Sequence, residues 1–208
     1  MITTIIFDWD GVIVDSMPII ALGIVETAAS YGKQLTLEEV LDGYFQPRLA
    51  YYKSIGIDIT DEEELNKRHW AAIEKHHRPA PFFPESAAVL RFLKDRGLKL
   101  GVGSTAKTDH IIEQLKSAGL EDIFETETII GGELHKEEKL RHLIGLFNVP
   151  LDEILYVGDL PSDITAAHAV GIQAGGIERR EVARQKLAAL HPEFLFTSLD
   201  DLAHIFKN

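Results

Sequence analysis

Asp8 and Asp10 stand two residues apart at the end of an apolar run, Ile2 to Phe7, and Gly11 follows them directly. Residues at i and i+2 can project to the same side where a strand ends. Two carboxylates so placed repel each other unless a cation lies between them or one stays protonated. The run before them is dominated by β-branched residues and reads as a strand buried on both faces. Gly11 lets the chain leave that strand through conformations other residues resist. An Asp-Gly turn is common in any protein. The pair gains its meaning from what stands elsewhere in the chain.

In open α/β sheets, ligands bind beyond the carboxyl ends of the strands. A second apolar run ends in Gly103-Ser104-Thr105, and a third is followed by Gly131-Gly132 and then His135-Lys136. A fourth ends in Gly158-Asp159-Leu160-Pro161-Ser162-Asp163. Carboxylates, a hydroxyl and an ammonium therefore converge on one edge. Carboxylates with nothing softer favour a hard ion, above all Mg²⁺, held by few protein oxygens together with water and substrate phosphate. A hydroxyl at a helix N-terminus, beside free backbone N–H groups, favours an anion. Lys136 would balance charge as phosphate oxygens crowd in. Together these groups specify phosphoryl transfer.

The elements that must position these groups alternate strand and helix. Strands are expected at Leu98 to Gly103, Ile123 to Ile130, Glu153 to Val157, Ile172 to Ile177 and, at an edge, Phe194 to Phe196. Helices are expected at 85–96, 107–118, around Leu140 to Phe147, at 162–170 and at Ser198 to Phe206. Such alternation means a doubly wound α/β fold with a parallel sheet. Residues 17 to 78 interrupt it with helices alone. Capping-box spacing at Thr36-Leu37-Glu38-Glu39 and Thr60-Asp61-Glu62-Glu63 starts two of them, and Pro47 suits the first turn of a third. The prolines from Pro79 to Pro84 break regular structure and mark a boundary. The expected organisation is an α/β core of residues 1–15 and 81–208, with a small α-helical cap of residues 16–80 inserted.

Bulk composition narrows the function. The chain has 208 residues, 45% of them hydrophobic and 26% charged, as expected of a globular protein with a real core. There is no cysteine, which excludes disulfides, thiolate metal sites and cysteine nucleophiles. The formal charge of −12 argues against a nucleic-acid partner and makes a bound cation more attractive at an anion site. No apolar stretch approaches the ~20 residues needed to span a bilayer, and Asp8 interrupts the first apolar run before it could serve as a signal peptide. A cytoplasmic protein without membrane association is expected, a monomer or homodimer acting on a small phosphorylated metabolite.

The chain resembles the phosphatase branch of the haloacid dehalogenase superfamily. The resemblance lies in Asp8-Trp9-Asp10-Gly11-Val12-Ile13-Val14-Asp15-Ser16, Ser104, Lys136 and Gly158-Asp159-Leu160-Pro161-Ser162-Asp163. The phosphoglycolate phosphatase and β-phosphoglucomutase group is most similar, and the helical insertion resembles its small cap. The resemblance implies a Mg²⁺-dependent phosphatase for a phosphoglycolate- or sugar-phosphate-like ester, with a phosphosugar mutase as the alternative. Asp8 would be the nucleophile and Asp10 the acid and base. Ser104 would bind a phosphate oxygen, and Lys136 would neutralise charge. Mg²⁺ would be held by Asp8, the Asp10 carbonyl and Asp159, with Asp163 supporting from behind. Glu137 replaces the proline that usually follows the lysine, and Lys139 lies one helical turn on, so both lysines remain candidates.

Other classes fit less well. Gly101-Val102-Gly103-Ser104-Thr105-Ala106, with Glu125 beyond it, fits a dinucleotide fingerprint of the oxidoreductase class. That assignment leaves both aspartate motifs unexplained. A non-catalytic binding protein on this fold would be expected to lose Asp8 or Asp10. Dehalogenation has no use for the acid that Asp10 supplies. The histidines, His76-His77 among them, read as solvated surface, Trp9 as packing and Asp15 as a hinge residue. Substrate contacts are expected from Thr105 and Lys107 on the core edge and from Arg48, Lys53 or His69 in the insertion.

Overall fold

The computed structural model describes residues 1–45, 47–76, 79–132 and 134–207. The chain forms two compact units, residues 1–14 with 82–208, and residues 15–81.

The larger unit is built on a parallel sheet. Its strands are Thr4–Phe7 (β1), Lys99–Gly103 (β2), Ile129–Ile130 (β3), Ile154–Gly158 (β4), Gln173–Ile177 (β5) and Phe194–Phe196 (β6). Their order across the sheet is β3-β2-β1-β4-β5-β6. Every residue of β1 is buried, which is why the strand reads as an unbroken apolar run rather than an alternating one. Its register sets Phe7 beside Val102 on one side and Val157 on the other. The chain segments that leave β1, β2 and β4 therefore start side by side. That adjacency brings motifs far apart in sequence to one edge.

The helices of this unit are Ser86–Asp95, Thr108–Ser117, Lys136–Phe147, Pro161–Val170, Glu181–Ala188 and Leu199–His204. The Lys136–Phe147 helix turns Leu140, Leu143 and Phe147 onto the sheet, where they join Ile6, Ile154, Tyr156 and Ile164 in one core. Gly101 and Gly103 lie inside β2, not in the turn after it. A Cβ on Gly101 would stand 2.8 Å from the Phe147 ring. Both glycines of the supposed dinucleotide fingerprint are thus inside the strand, and at Gly101 the missing side chain is a packing device for the helix above.

Two local expectations need correction. The strand expected over Ile123 to Ile130 is reduced to its last two residues, because Thr126–Thr128 forms a 3₁₀ turn. Thr128 Oγ1 donates to Leu100 O at 3.0 Å within that turn, and Glu125 and Glu127 stay exposed. The helix Glu181–Ala188 lies outside the expected elements. Leu187 is its one buried residue, too little for a hydrophobic stripe.

The smaller unit contains the helices Met17–Ser30, Leu37–Gly43, Arg48–Ser54 and Glu62–Lys75. The capping box at Thr36 is formed, with its side chain accepting from Glu39 N and Glu39 accepting from Thr36 N. At the last of these helices the cap is Asp61, which accepts from Glu64 N, and not Thr60. Asp15 N donates to Pro81 O at 2.8 Å, so the two ends of the unit are tied together.

Candidate active site

Asp8 continues β1 by one residue, since its N–H still donates to Val157 O at 2.8 Å. The residue is 6% exposed. Oδ1 accepts from Trp9 N at 2.6 Å and Oδ2 from Lys136 Nζ at 2.7 Å. Trp9 is turned into the core, where its ring meets Phe82 edge-on and Nε1 donates to Gln114 Oε1 at 2.8 Å. The chain then turns sharply. Gly11 N donates to Val14 O, and the N–H groups of Ile13 and Val14 both donate to Trp9 O. Gly11 has φ +73°, and a Cβ there would lie 2.1 Å from Asp159 Oδ2. The turn leaves Asp10 half-buried beside that site.

Ser104 follows β2 and is fully buried; its N–H donates to Ile130 O at 3.0 Å, and its Oγ accepts from Ala106 N at 3.3 Å. Thr105 and Lys107 are exposed, and Lys107 is the cap residue of the Thr108–Ser117 helix. Lys136 opens its helix and bonds both Asp8 and Asp163. Lys139 lies one turn on, and its Nζ donates instead to Gly132 O at 2.7 Å.

Asp163 shows why the fourth motif has its spacing. As the third residue of the Pro161–Val170 helix it reaches back, and Oδ2 accepts from Leu160 N at 2.8 Å. Oδ1 accepts from Lys136 and from Tyr156 Oη, the latter at 3.3 Å. Position 158 must be small, because a Cβ on Gly158 would stand 2.3 Å from the Asp163 Cβ. Asp163 is thus saturated by protein donors, whereas Asp159 lies beside it with its oxygens toward Gly11 and Asp8.

Asp8, Asp159 and Asp163 each offer an oxygen, and these oxygens all lie within 4.8 Å of one another in buried surroundings. Burial, reinforced by the charges of Asp163 and Asp8, pushes the Asp159 carboxyl well above its ordinary range. Burial raises Asp163 as well, against the opposing charge of Lys136. Burial also works against the charge on Lys136, but Asp163 and Asp8 outweigh it and hold its pKa above that of a free lysine. Three buried carboxylates against one ammonium leave an excess of negative charge, and all the donors are hard oxygens. The site fits a small divalent cation.

Glu178, directly after β5, escaped the sequence reading. Its N–H donates to Phe196 O and its Oε1 accepts from Arg180 N at 2.8 Å. Burial raises its pKa, and its charge in turn acts on Asp159. Its signal in the sequence is an acidic residue directly after an apolar strand, as at Asp8 and Asp159. Tyr156 had no such signal, being one aromatic residue in an apolar strand.

The residues expected from the insertion lie in the helical unit. Arg48 there bonds Asn66 Oδ1 and lies 5.2 Å from the Trp70 ring, and Lys53 is exposed. His76 pairs with Glu26 at the surface, and His77 lies outside the described residues. His69 departs from its expected exposure. It is 2% exposed, shares a 2.9 Å hydrogen bond with Tyr52 Oη through Nδ1, and burial lowers its pKa to about 3. The unfolded chain takes up this proton near pH 6.5, so the contribution of His69 to stability is complete above pH 6.5. It falls progressively as pH drops towards 3, by on the order of 3–5 kcal/mol in total. Acid titration of helicity should therefore reveal a destabilising limb in this window that is reduced in His69→Gln. An identical limb in both proteins would assign it to other groups.

Among the described residues, no helix is long and apolar enough to cross a membrane. The family model described as haloacid dehalogenase-like hydrolase matches residues 5–177. A phosphoglycolate phosphatase from Mannheimia succiniciproducens is 29% identical, over 96% of this chain and 96% of its own. A pyrophosphatase PpaX from Bacillus velezensis is 26% identical, over 98% and 96% respectively. Among solved structures, a haloacid dehalogenase-like family hydrolase from Streptococcus pneumoniae superposes with a TM-score of 0.80 over 99% of both chains. At 20% identity, that last likeness speaks to fold alone.

Proposed function

The chain belongs to the haloacid dehalogenase-like hydrolases, and from that premise we propose that it is a cation-dependent phosphatase that hydrolyses a small phosphate monoester through an aspartyl-phosphate on Asp8. The observation that carries this proposal is the state of Asp8. Its carboxylate ends the central strand, touches Lys136, and sits among other buried acids.

In the first step an Asp8 oxygen attacks phosphorus, and the bond from phosphorus to the ester oxygen breaks. Asp10 gives its proton to the departing oxygen. In the second step Asp10 takes a proton from water, whose oxygen attacks phosphorus. The acyl phosphate bond breaks, and phosphate and the free Asp8 carboxylate are released. Lys136, held in place by Asp163, balances the charge that builds on the phosphoryl oxygens. Ser104 and the N–H groups after it would hold those oxygens, with Thr105 and Lys107 at the rim. Asp8, the Asp10 carbonyl and Asp159 would hold the cation, with Mg²⁺ the simplest choice. When bound, that ion neutralises charge shared between carboxylates and phosphate.

The leaving group is chosen, in this proposal, by the helical unit 15–81, which departs from the core just after Asp8 and Asp10. Arg48 is its candidate cation. The compounds named in the two relatives, phosphoglycolate and pyrophosphate, both carry a second anionic group, and they head the substrates to test. Released phosphate should be measured over a panel of phosphoglycolate, pyrophosphate, sugar phosphates and nucleotides with Mg²⁺. One of these compounds should exceed the others clearly, and a clear preference for pyrophosphate, an anhydride, would replace the ester in the proposal. Isomerisation of a sugar phosphate faster than phosphate release would replace the phosphatase with a mutase.

Cation removal is the second test. EDTA should reduce turnover to background and Mg²⁺ should restore it. Ca²⁺ should bind and inhibit, because its looser, higher-coordinate shell misplaces the nucleophile. Full turnover in a metal-free preparation would exclude the cation from the mechanism.

A further inference from the structure

Lys139 is the only lysine or arginine among the described residues that is buried, at 0% exposure. An amine in such a position is costly unless it is bonded, and an apolar side chain of the same length would fill the space more cheaply. Its Nζ donates to Gly132 O at 2.7 Å. Gly132 N donates in turn to Ala106 O at 2.9 Å, and Ala106 N to Ser104 Oγ at 3.3 Å. Next to this line, Gly131 N donates to Thr108 Oγ1 at 2.9 Å. A Cβ on Gly131 would lie 2.2 Å from Ala106 O, so the two loops are pressed together without space for adjustment. Of the charges facing Lys139, Asp8 favours its ammonium and Lys136 opposes it, while burial lowers its pKa to about 8.

We propose that Lys139 is a positioning residue for phosphate: it anchors the Gly131-Gly132 turn, and through Ala106 it fixes the turn that carries Ser104. It touches neither substrate nor cation. The inference rests on the assignment of Ser104 and its neighbouring N–H groups as phosphate ligands. It gives the two lysines of this helix separate tasks. Lys136 meets the reacting carboxylate, and Lys139 holds the cradle.

The test is calorimetric titration of inorganic phosphate, at saturating Mg²⁺, into the wild-type protein and Lys139→Met. Methionine matches the unbranched stem as far as Cε and removes the donor. Phosphate Kd should rise about tenfold, the melting temperature should not fall, and the Gly132 amide should exchange its hydrogen faster while the central strands do not. A Kd within twofold of wild type overturns the proposal. So does a large fall in melting temperature with faster exchange throughout, which would make Lys139 a fold residue. If Lys139→Met does not fold, Lys139→Leu, which also lacks a donor, takes its place. Failure of both to fold also overturns the proposal. No phosphate binding by the wild type would instead overturn the assignment of Ser104 on which the inference rests.

Discussion

Asp8→Asn should lose turnover by about 10⁴-fold or more while keeping its fold, since removal of a covalent nucleophile costs on this order. Asparagine matches the shape of aspartate and can still accept from Trp9 N through one oxygen. Its amide nitrogen would face Lys136 as a second donor, but Lys136 retains Asp163 as a partner. The substitution also removes one of three crowded buried carboxylates. The melting temperature should therefore hold or rise as activity vanishes. Asp10→Asn should behave differently. With a good leaving group it should still form the aspartyl-phosphate, and the phosphorylated protein should accumulate because no base activates water. Mass spectrometry after brief exposure to substrate distinguishes the two variants. An active Asp8→Asn protein, with reversion to aspartate by deamidation excluded, would remove Asp8 from the mechanism.

Gly11→Ala should also be damaging, although it changes no reacting group. The backbone there has φ +73°, which costs a side chain roughly 1–2 kcal/mol. The greater effect is collision, because the new methyl would overlap Asp159 Oδ2 and Cγ. Either the turn or Asp159 must move. A displacement of about 1 Å at reacting groups costs roughly 10²-fold in rate. Mg²⁺ affinity measured by calorimetry should fall with the rate. Gly119→Ala is the control, since Gly119 has φ +65° with nothing within 4 Å of its would-be Cβ. It should lose only the stability that the positive φ costs and keep its activity. If Gly11→Ala retained cation affinity and rate within threefold, the turn would have no part in placing Asp159.

The fold class was legible because alternating apolar runs and amphipathic helices leave few arrangements other than a parallel sheet. The groups gathered at the site were legible for a related reason. Asp8, Ser104 and Asp159 each interrupt or directly follow an apolar run, and polar residues at those points stand out. Residues that leave the hydropathy pattern undisturbed were harder to find. Tyr156 is an aromatic residue in a buried strand, and nothing local indicates that its hydroxyl meets Asp163. His69 sits in a polar helix and carries no mark of burial, which comes from the packing around it. The choice between Lys136 and Lys139 depends on which side of one helix turn meets Asp8, and spacing alone left that open. The shortness of β3 follows from a 3₁₀ turn held by the Thr128 hydroxyl, a tertiary bond that local propensity does not encode.

The position of β1 at the centre of the sheet has a consequence for how the protein is made. Its four residues leave the ribosome well ahead of their partners, residues 99–102 on one side and 154–157 on the other. A short strand buried on both faces has nothing to pair with until those segments exist. At roughly 5–20 residues per second, β1 waits on the order of ten seconds after its own synthesis, with the whole helical unit emerging in between. Until β4 arrives, Asp8 lacks its backbone partner Val157, and the carboxylate cluster has only one of its three members. The nascent chain therefore cannot form this charged centre before β4 emerges, and the apolar segment Thr4–Phe7 stays unpaired and exposed to misfolding until residues 99–102 follow it.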